Sequence, residues 1–291
     1  MAVKKDRVSD ILLFCTAAIW GINFVAVKSL LVEVNPVNLI LVRFISGSIL
    51  LFLLLLFFED VKLPLKDFYK LCGLGAIGIT LYQFLFVYSL KYSSVTSVAI
   101  IINAAPLYGG LLSSFFGYEK FSRKRLFAIV AGFIGVYILI TKGEFLSLGG
   151  DIKGNILAVT ASLLWALYTI LAKPMLDKYS PLKVTTYSML AGSALLCIFA
   201  PFYLDLKEIV LLSSTGWLSL IFSILFSIVI AFVLWHRGVS KIGASRTIIY
   251  QYFIPVFGAF SAFLLLHERL YWSQLVGAII IFWSITLSRR H

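Results

Sequence analysis

Acidic side chains are scarce in this chain: 13 Asp and Glu stand against 25 Lys and Arg in 291 residues. All thirteen acids fall in connecting segments or at the ends of apolar runs. A carrier that exchanges protons for cationic solutes commonly keeps a carboxylate near mid-membrane, so that class loses its main support. Cysteine and histidine are equally sparse, with three of each. Cys15, Cys72 and Cys197 sit inside apolar runs, which reads as packing and implies no disulfide or metal framework. His236, His267 and His291 lie at run ends or at the terminus, and His236 reads as an interfacial imidazole. No H-E-x-x-H motif or buried carboxylate pair supplies the nucleophile, base or metal set an enzyme needs, so no enzyme and no cofactor are expected. Long polar stretches are missing too, which leaves no room for a soluble domain and no surface for a basic nucleic-acid patch. Strand-like alternation is also absent, and a β-barrel is excluded with it.

What is present is apolar: 61% of the residues are hydrophobic and 13% charged, a balance that a water-soluble globule cannot fold around. Ten runs of roughly 18 to 25 residues, each long enough to cross about 30 Å of hydrocarbon as a helix, are read over 9–31, 37–58, 67–90, 94–117, 124–141, 152–173, 182–203, 214–236, 243–267 and 271–288. The basic start, Lys4, Lys5 and Arg7, resembles the opening of a secretory signal. The run behind it is too long for one, however, and carries Asn23 and Lys28 in place of a cleavage site. "GLGAIG", Gly73 to Gly78, matches a dinucleotide fingerprint in spelling only: it opens an apolar helix and follows no strand, so close helix approach is the better use of its small residues.

Short loops carry the orientation signal. With the N-terminus placed in the cytoplasm, eighteen Lys and Arg fall on the inner side and six on the outer, the asymmetry of the positive-inside rule. The remaining one, Arg43, lies within the second run. Both termini are therefore expected in the cytoplasm.

The chain also repeats itself. "AAIWGINFVAVK" around Trp20 and "SLLWALYTILAK" around Trp165 each place a lysine eight residues after tryptophan, at an offset of 145. The same register pairs Asn35-Pro36 with Ser180-Pro181 and Gly47 with Gly192. Later, Pro106 and Glu119 recur as Pro255 and Glu268, again thirteen residues apart, at an offset of 149. Two five-helix units, 1–148 and 149–291, follow. An odd helix number inserts the second copy upside down, the inverted-repeat plan of many transporters. "KFSRKR" after Glu119 and the cation-poor "RLYWSQ" after Glu268 agree with opposite faces.

A ten-helix chain built of two copies of Pro-x12-Glu before a Gly-rich helix, with tryptophans in helices 1 and 6 and Arg43 early in helix 2, resembles the EamA-type members of the drug/metabolite transporter superfamily. That resemblance implies a carrier with a central cavity lined by helices 1, 3, 4, 6, 8 and 9, and export of metabolites, amino acids among them. The expected fold is all-α, ten transmembrane helices as two inverted five-helix repeats, in the cell membrane. The expected function is export of small organic metabolites, foremost amino acids with apolar or aromatic side chains, by alternating access. An organophosphate or nucleotide-sugar exchanger is the alternative, weakened because such anions need several converging cations and only Arg43 is deep. The partners expected are a small-molecule substrate and the lipid bilayer, a homodimer being left open and nucleic acid excluded.

Polar and aromatic groups at depth usually face the bundle interior or a water-filled path. Trp20, Asn23, Arg43, Tyr82, Gln83, Asn103, Trp165, Tyr168, Tyr187, Tyr250 and Gln251 are the candidates for substrate contact. Trp20 and Trp165 lie too deep for an interfacial belt. Arg43 reads equally as a substrate or gate cation and as a clamp on backbone carbonyls. Pro106 and Pro255 break one helical hydrogen bond each and bend the chain. They are hinge candidates, and Glu119 and Glu268 are turn anchors or gate members.

Overall fold

A computed structural model describes residues 7–93, 95–118, 122–144, 151–266 and 269–289. Glu119, Glu268, His267 and His291 lie outside them. Among the described residues the chain is helical, in ten main segments: α1 (Arg7–Leu30), α2 (Pro36–Phe58), α3 (Leu65–Ser89), α4 (Ser97–Phe115), α5 (Arg123–Ile140), α6 (Ile152–Leu176), α7 (Pro181–Tyr203), α8 (Ser214–Ile242), α9 (Ala244–Leu265) and α10 (Trp272–Arg289). Eight are long and apolar enough to cross a membrane; α5 opens on Arg123, Lys124 and Arg125, and the apolar part of α10 is shorter. The outer surface is apolar as well: Phe57, Phe115 and Trp272 are each more than 80% exposed, as side chains facing lipid are. The protein is thus an all-α, multi-pass membrane protein.

Local chemistry sets the helix starts. Asn35 and Ser180, the residues matched in the repeat, both act as N-caps: Asn35 Oδ1 accepts from the Val37 amide at 2.9 Å and Ser180 Oγ from the Lys183 amide at 3.0 Å. Pro36 and Pro181 follow at the first helical position, where a missing N–H costs nothing. Ser122, Asp151 and Ser213 cap α5, α6 and α8 in the same manner.

Helices pack in a cross-braced pattern. α1 lies against α8 and α9, while α6 lies against α3 and α4; α2 packs on α7, α4 on α9 and α5 on α10. Small residues permit the closest approaches. A Cβ on Gly75 of α3 would stand 2.2 Å from the Ser188 carbonyl oxygen of α7, and one on Gly277 of α10 would stand 2.6 Å from the Gly135 carbonyl of α5. Of the glycines of "GLGAIG", Gly75 and Gly78 thus do serve helix packing, while Gly73 faces open space.

Two expectations change here. Helix α8 runs to Ile242, six residues past the expected end, because the charges of "WHRGVSK" continue the helix instead of ending it. Cys15 and Cys197 are exposed and Cys72 is half-buried. None of the three is fully buried, since a lipid-facing position is as apolar as a packed one.

Candidate functional site

Four helices lose regular geometry at depth. In α3 the residues Ala76–Leu81, and in α8 the residues Ser223–Ile230, wind as π-helix, a form that often marks functional sites. Helix α4 opens into a turn at Asn103 and Ala104, and α9 tightens to a 3-10 turn over Tyr250–Tyr252. The prolines explain the second pair. Pro106 has no N–H to give the carbonyl four residues back, so Ile102 O accepts instead from Ser162 Oγ of α6 at 3.1 Å and Gln251 Nε2 of α9 at 3.2 Å. Pro255 likewise has no N–H for the Gln251 carbonyl, which the tightened turn meets with the Phe253 amide.

An aromatic cluster lies among α1, α3, α6 and α8. Trp165 of α6 stands 5.6 Å from Trp20 of α1, 5.3 Å from Tyr82 of α3, 5.9 Å from Phe232 and 5.7 Å from Trp235 of α8, and 5.6 Å from Tyr168, centroid to centroid. Trp20 in turn lies 5.6 Å from Phe232 and 5.2 Å from Trp235. Such edge and tilted contacts each add about 0.5–1.5 kcal/mol beyond area burial. Two of the three indole N–H groups have acceptors: Trp20 Nε1 donates to the Ser227 carbonyl in the π-segment at 3.0 Å, and Trp235 Nε1 to Thr169 Oγ1 at 3.2 Å. Helical spacing gathers the members, since Ser162, Trp165 and Tyr168 share a face of α6 and Phe232, Trp235 and His236 a face of α8.

Trp20, Tyr82, Trp165 and Tyr168, expected at the path, therefore meet in this cluster. Phe232 and Trp235 are members that sequence reasoning did not select. His236 requires correction. It is wholly buried against the Tyr168 ring at 5.3 Å, with Nδ1 2.7 Å from Thr185 Oγ1. That hydroxyl has one proton and also lies 2.7 Å from the Pro181 carbonyl, so it donates there and accepts from Nδ1–H, which leaves Nε2 as a buried acceptor with no donor.

Asn103 and Gln251 are both buried at the breaks of α4 and α9. Asn103 Nδ2 donates to the Ala99 carbonyl at 2.9 Å. The oxygens Asn103 Oδ1 and Gln251 Oε1 have no donor, and neither does Asn23 Oδ1 on α1; each such buried acceptor costs about 1–3 kcal/mol. Arg43 is 9% exposed, with an unpartnered Nε and its guanidinium carbon 5.8 Å from the Phe44 ring centroid. No carboxylate pairs with it among the described residues. Gln83 is half-buried on α3. Tyr187 and Tyr250 are tied elsewhere: the Tyr187 hydroxyl donates to the Val61 carbonyl, and the Tyr250 hydroxyl to Asp10 Oδ1 at 2.6 Å.

Hydrogen bonds between sequence-distant connections close two further places. Glu208 Oε2 accepts from the Asn35 amide at 3.0 Å and from Asn38 Nδ2 at 2.8 Å, and Glu33 accepts from the Ser213 amide and hydroxyl at 2.8 and 2.9 Å. These tie the α1–α2 turn to the α7–α8 connection. In the matched place, the α6–α7 turn meets the α2–α3 connection. There Ser180 Oγ donates to Glu59, the Tyr179 hydroxyl donates to Asp67 Oδ2 at 2.8 Å, and Lys178 Nζ lies 3.5 Å from the same oxygen. The hydrogen bond to Asp67 holds the Tyr179 phenol above its ordinary pKa.

Comparison with known proteins is consistent with a carrier. The model of the EamA-like transporter family matches twice, over residues 7–141 and 152–290. An "Uncharacterized transporter" of Archaeoglobus fulgidus is 30% identical over 284 residues, 96% of each chain. A "Probable amino-acid metabolite efflux pump" of Salmonella typhimurium is 28% identical over 291 residues, 95% of this chain and 93% of its own, and one of the same description from Escherichia coli is 27% identical over 95% and 93%. A solved crystal structure superposes with a TM-score of 0.79 over 97% of this chain and 96% of its own, at 17% identity, a likeness of fold alone.

Proposed function

The chain belongs to the EamA-like transporter family, a membrane transporter and not an enzyme, and on that premise we propose that it exports amino acids with apolar or aromatic side chains by alternating access. The observation that carries the proposal is the aromatic cluster. Flat faces from Trp20, Tyr82, Trp165, Phe232 and Trp235, with amide tips from Asn103 and Gln251 nearby, suit a solute with a sizeable apolar group and a few polar atoms better than a phosphate. Arg43, the one buried cation of a membrane-crossing segment among the described residues, is then the group for the solute carboxylate or for a gate. Two relatives described as "Probable amino-acid metabolite efflux pump" support the substrate class and the direction.

Ten crossings in two inverted five-helix halves, 1–148 and 149–291, form the proposed frame. It is supported by the two family matches, by the reciprocal packing of α1 on α8 and α9 and of α6 on α3 and α4, and by the π-segments in matched helices α3 and α8. Both cross-half closures are formed at once, which suits an occluded state between two openings. Pro106 and Pro255 are the proposed hinges, and Glu119 and Glu268 anchors or gate members. The loop cations support a cytoplasmic position for both termini. The test is flux in proteoliposomes: large apolar amino acids are expected to be carried faster than their amide or decarboxylated analogues, and preferential transport of sugar phosphates would overturn the substrate class.

A further inference from the structure

The two carboxamides at the helix breaks have their orientation fixed by chemistry. A backbone carbonyl can be met only by a donor, so the Gln251 group turned to Ile102 O must be Nε2, and the Asn103 group turned to Ala99 O must be Nδ2. Oδ1 and Oε1 are thereby directed elsewhere. Both residues are more than nine-tenths buried, and neither oxygen has a donor. The two are brought together because Gln251 binds Ile102, the neighbour of Asn103. Ser162, which shares that carbonyl, lies one turn before Trp165 on α6.

A pair of neutral acceptor oxygens has nothing to offer a carboxylate or phosphate, which bring further acceptors. It fits a group with several N–H donors, and the aromatic faces one turn away along α6 favour a cation. We propose that Asn103 Oδ1 and Gln251 Oε1 receive the primary ammonium group of the transported solute. The assignment rests on the amino-acid reading above and deepens it: the amine end is recognised in its own right, at the breaks of α4 and α9. Capture by dipoles in place of a carboxylate also keeps the grip weak enough for release, as a carrier requires. One solute held there touches both proposed halves, so occupancy bears directly on the joint between them.

Calorimetric titration of the full-length protein in nanodiscs tests this with phenylalanine, phenethylamine and 3-phenylpropanoate. Phenylalanine and phenethylamine are expected to bind, with phenylpropanoate at least about tenfold weaker. Asn103→Ala should weaken both amine ligands by about tenfold and leave phenylpropanoate unchanged. That variant keeps the fold, since the Ala99 carbonyl it uncaps also accepts the Asn103 backbone amide at 3.2 Å. Gln251→Ala should act in the same direction. If phenylalanine and phenylpropanoate bind alike while phenethylamine does not, the ammonium site is overturned and the amino-acid reading stands on the carboxylate alone. Amine binding undiminished in both variants overturns the placement. Silence from all three ligands overturns the site together with the reading it rests on.

Discussion

Gln251 of α9 donates its side-chain amide to the carbonyl oxygen of Ile102 in α4 at 3.2 Å, the oxygen that Pro106 leaves without a helical partner. A bond that regular helix would have made within α4 is instead made between helices of the two proposed halves. The proline thus does more than bend its own helix, because it frees an acceptor that joins α4, α6 and α9 at one point.

Pro106→Ala returns an N–H at position 106 and offers Ile102 O a donor inside α4. The straight helix gains about 1 kcal/mol of net hydrogen bonding, and Ser162 and Gln251 lose their exclusive acceptor. Transport in proteoliposomes is expected to slow roughly fivefold while circular dichroism and membrane insertion stay as in the parent. Flux unchanged from the parent in both Pro106→Ala and Pro255→Ala would reduce both prolines to packing features.

Two glycines of one motif should behave oppositely. A Cβ on Gly78 would stand 2.2 Å from Tyr168 Cδ2, whereas one on Gly73 meets nothing within 4 Å. Gly78→Ala is expected to push the Tyr168 ring out of the aromatic cluster at a cost of about 1–3 kcal/mol, and Gly73→Ala to be neutral or slightly stabilising through helix propensity. Thermal unfolding in detergent distinguishes them. Equal melting temperatures would mean that Tyr168 is loosely held.

Much of this was legible beforehand because hydrophobic run length and a repeated offset are strong signals. Trp20 and Trp165 declare themselves by their shared lysine spacing, and they do meet, at 5.6 Å. Trp235 and His236 stayed hidden for a physical reason. Charges at Arg237 and Lys241 look like a membrane exit in one dimension, yet in the helix they project away from the face that carries Phe232 and Trp235 into the cluster. The π-segments have no spelling of their own, since the extra residue per turn answers to packing around Gly78 and Ile228 and not to a local propensity. Depth singles out Tyr187 and Tyr250, but depth does not say which way a phenol turns; theirs turn to Val61 and Asp10.

Topology is open to direct labelling. With Cys15, Cys72 and Cys197 replaced, single cysteines placed near Gly149 and near Asp205 are expected to react with an impermeant maleimide from outside. Those near Ser122 and Lys178 should react only after the membrane is opened. The reversed pattern would sink the orientation and, with it, the inverted second half.

Trp165 touches five aromatic partners, so its truncation should have two separable effects. Burial lost from a nearly enclosed indole costs about 3–5 kcal/mol of stability, visible as a lower melting temperature. Loss of stacking worth about 0.5–1.5 kcal/mol per partner should raise the half-saturation concentration for a large apolar amino acid a few-fold in Trp165→Ala, and less in Trp165→Phe. A fall in melting temperature with unchanged half-saturation in both variants would leave the cluster a packing core without a role in recognition.

Arg43 offers the sharpest division between a structural and a functional cation. Its guanidinium lies in a membrane-crossing helix, 9% exposed, with Nε unpartnered and no carboxylate paired to it among the described residues. A clamp would be expected to hold backbone carbonyls, and no such hydrogen bond is present among the described residues, whereas a receptor for a solute carboxylate would leave the guanidinium free for its ligand. Arg43→Gln keeps much of the length and the donor capacity but removes the charge. If the cation holds the solute carboxylate, the parent should prefer an amino acid over its amide by about tenfold, the order of one charge-assisted hydrogen bond, and the variant should carry the two alike at a similar melting temperature. If the cation is structural, the variant should instead lose stability and keep the preference. Competition between amino acid and amide in proteoliposomes, run beside a melting curve of the same preparation, separates the two outcomes.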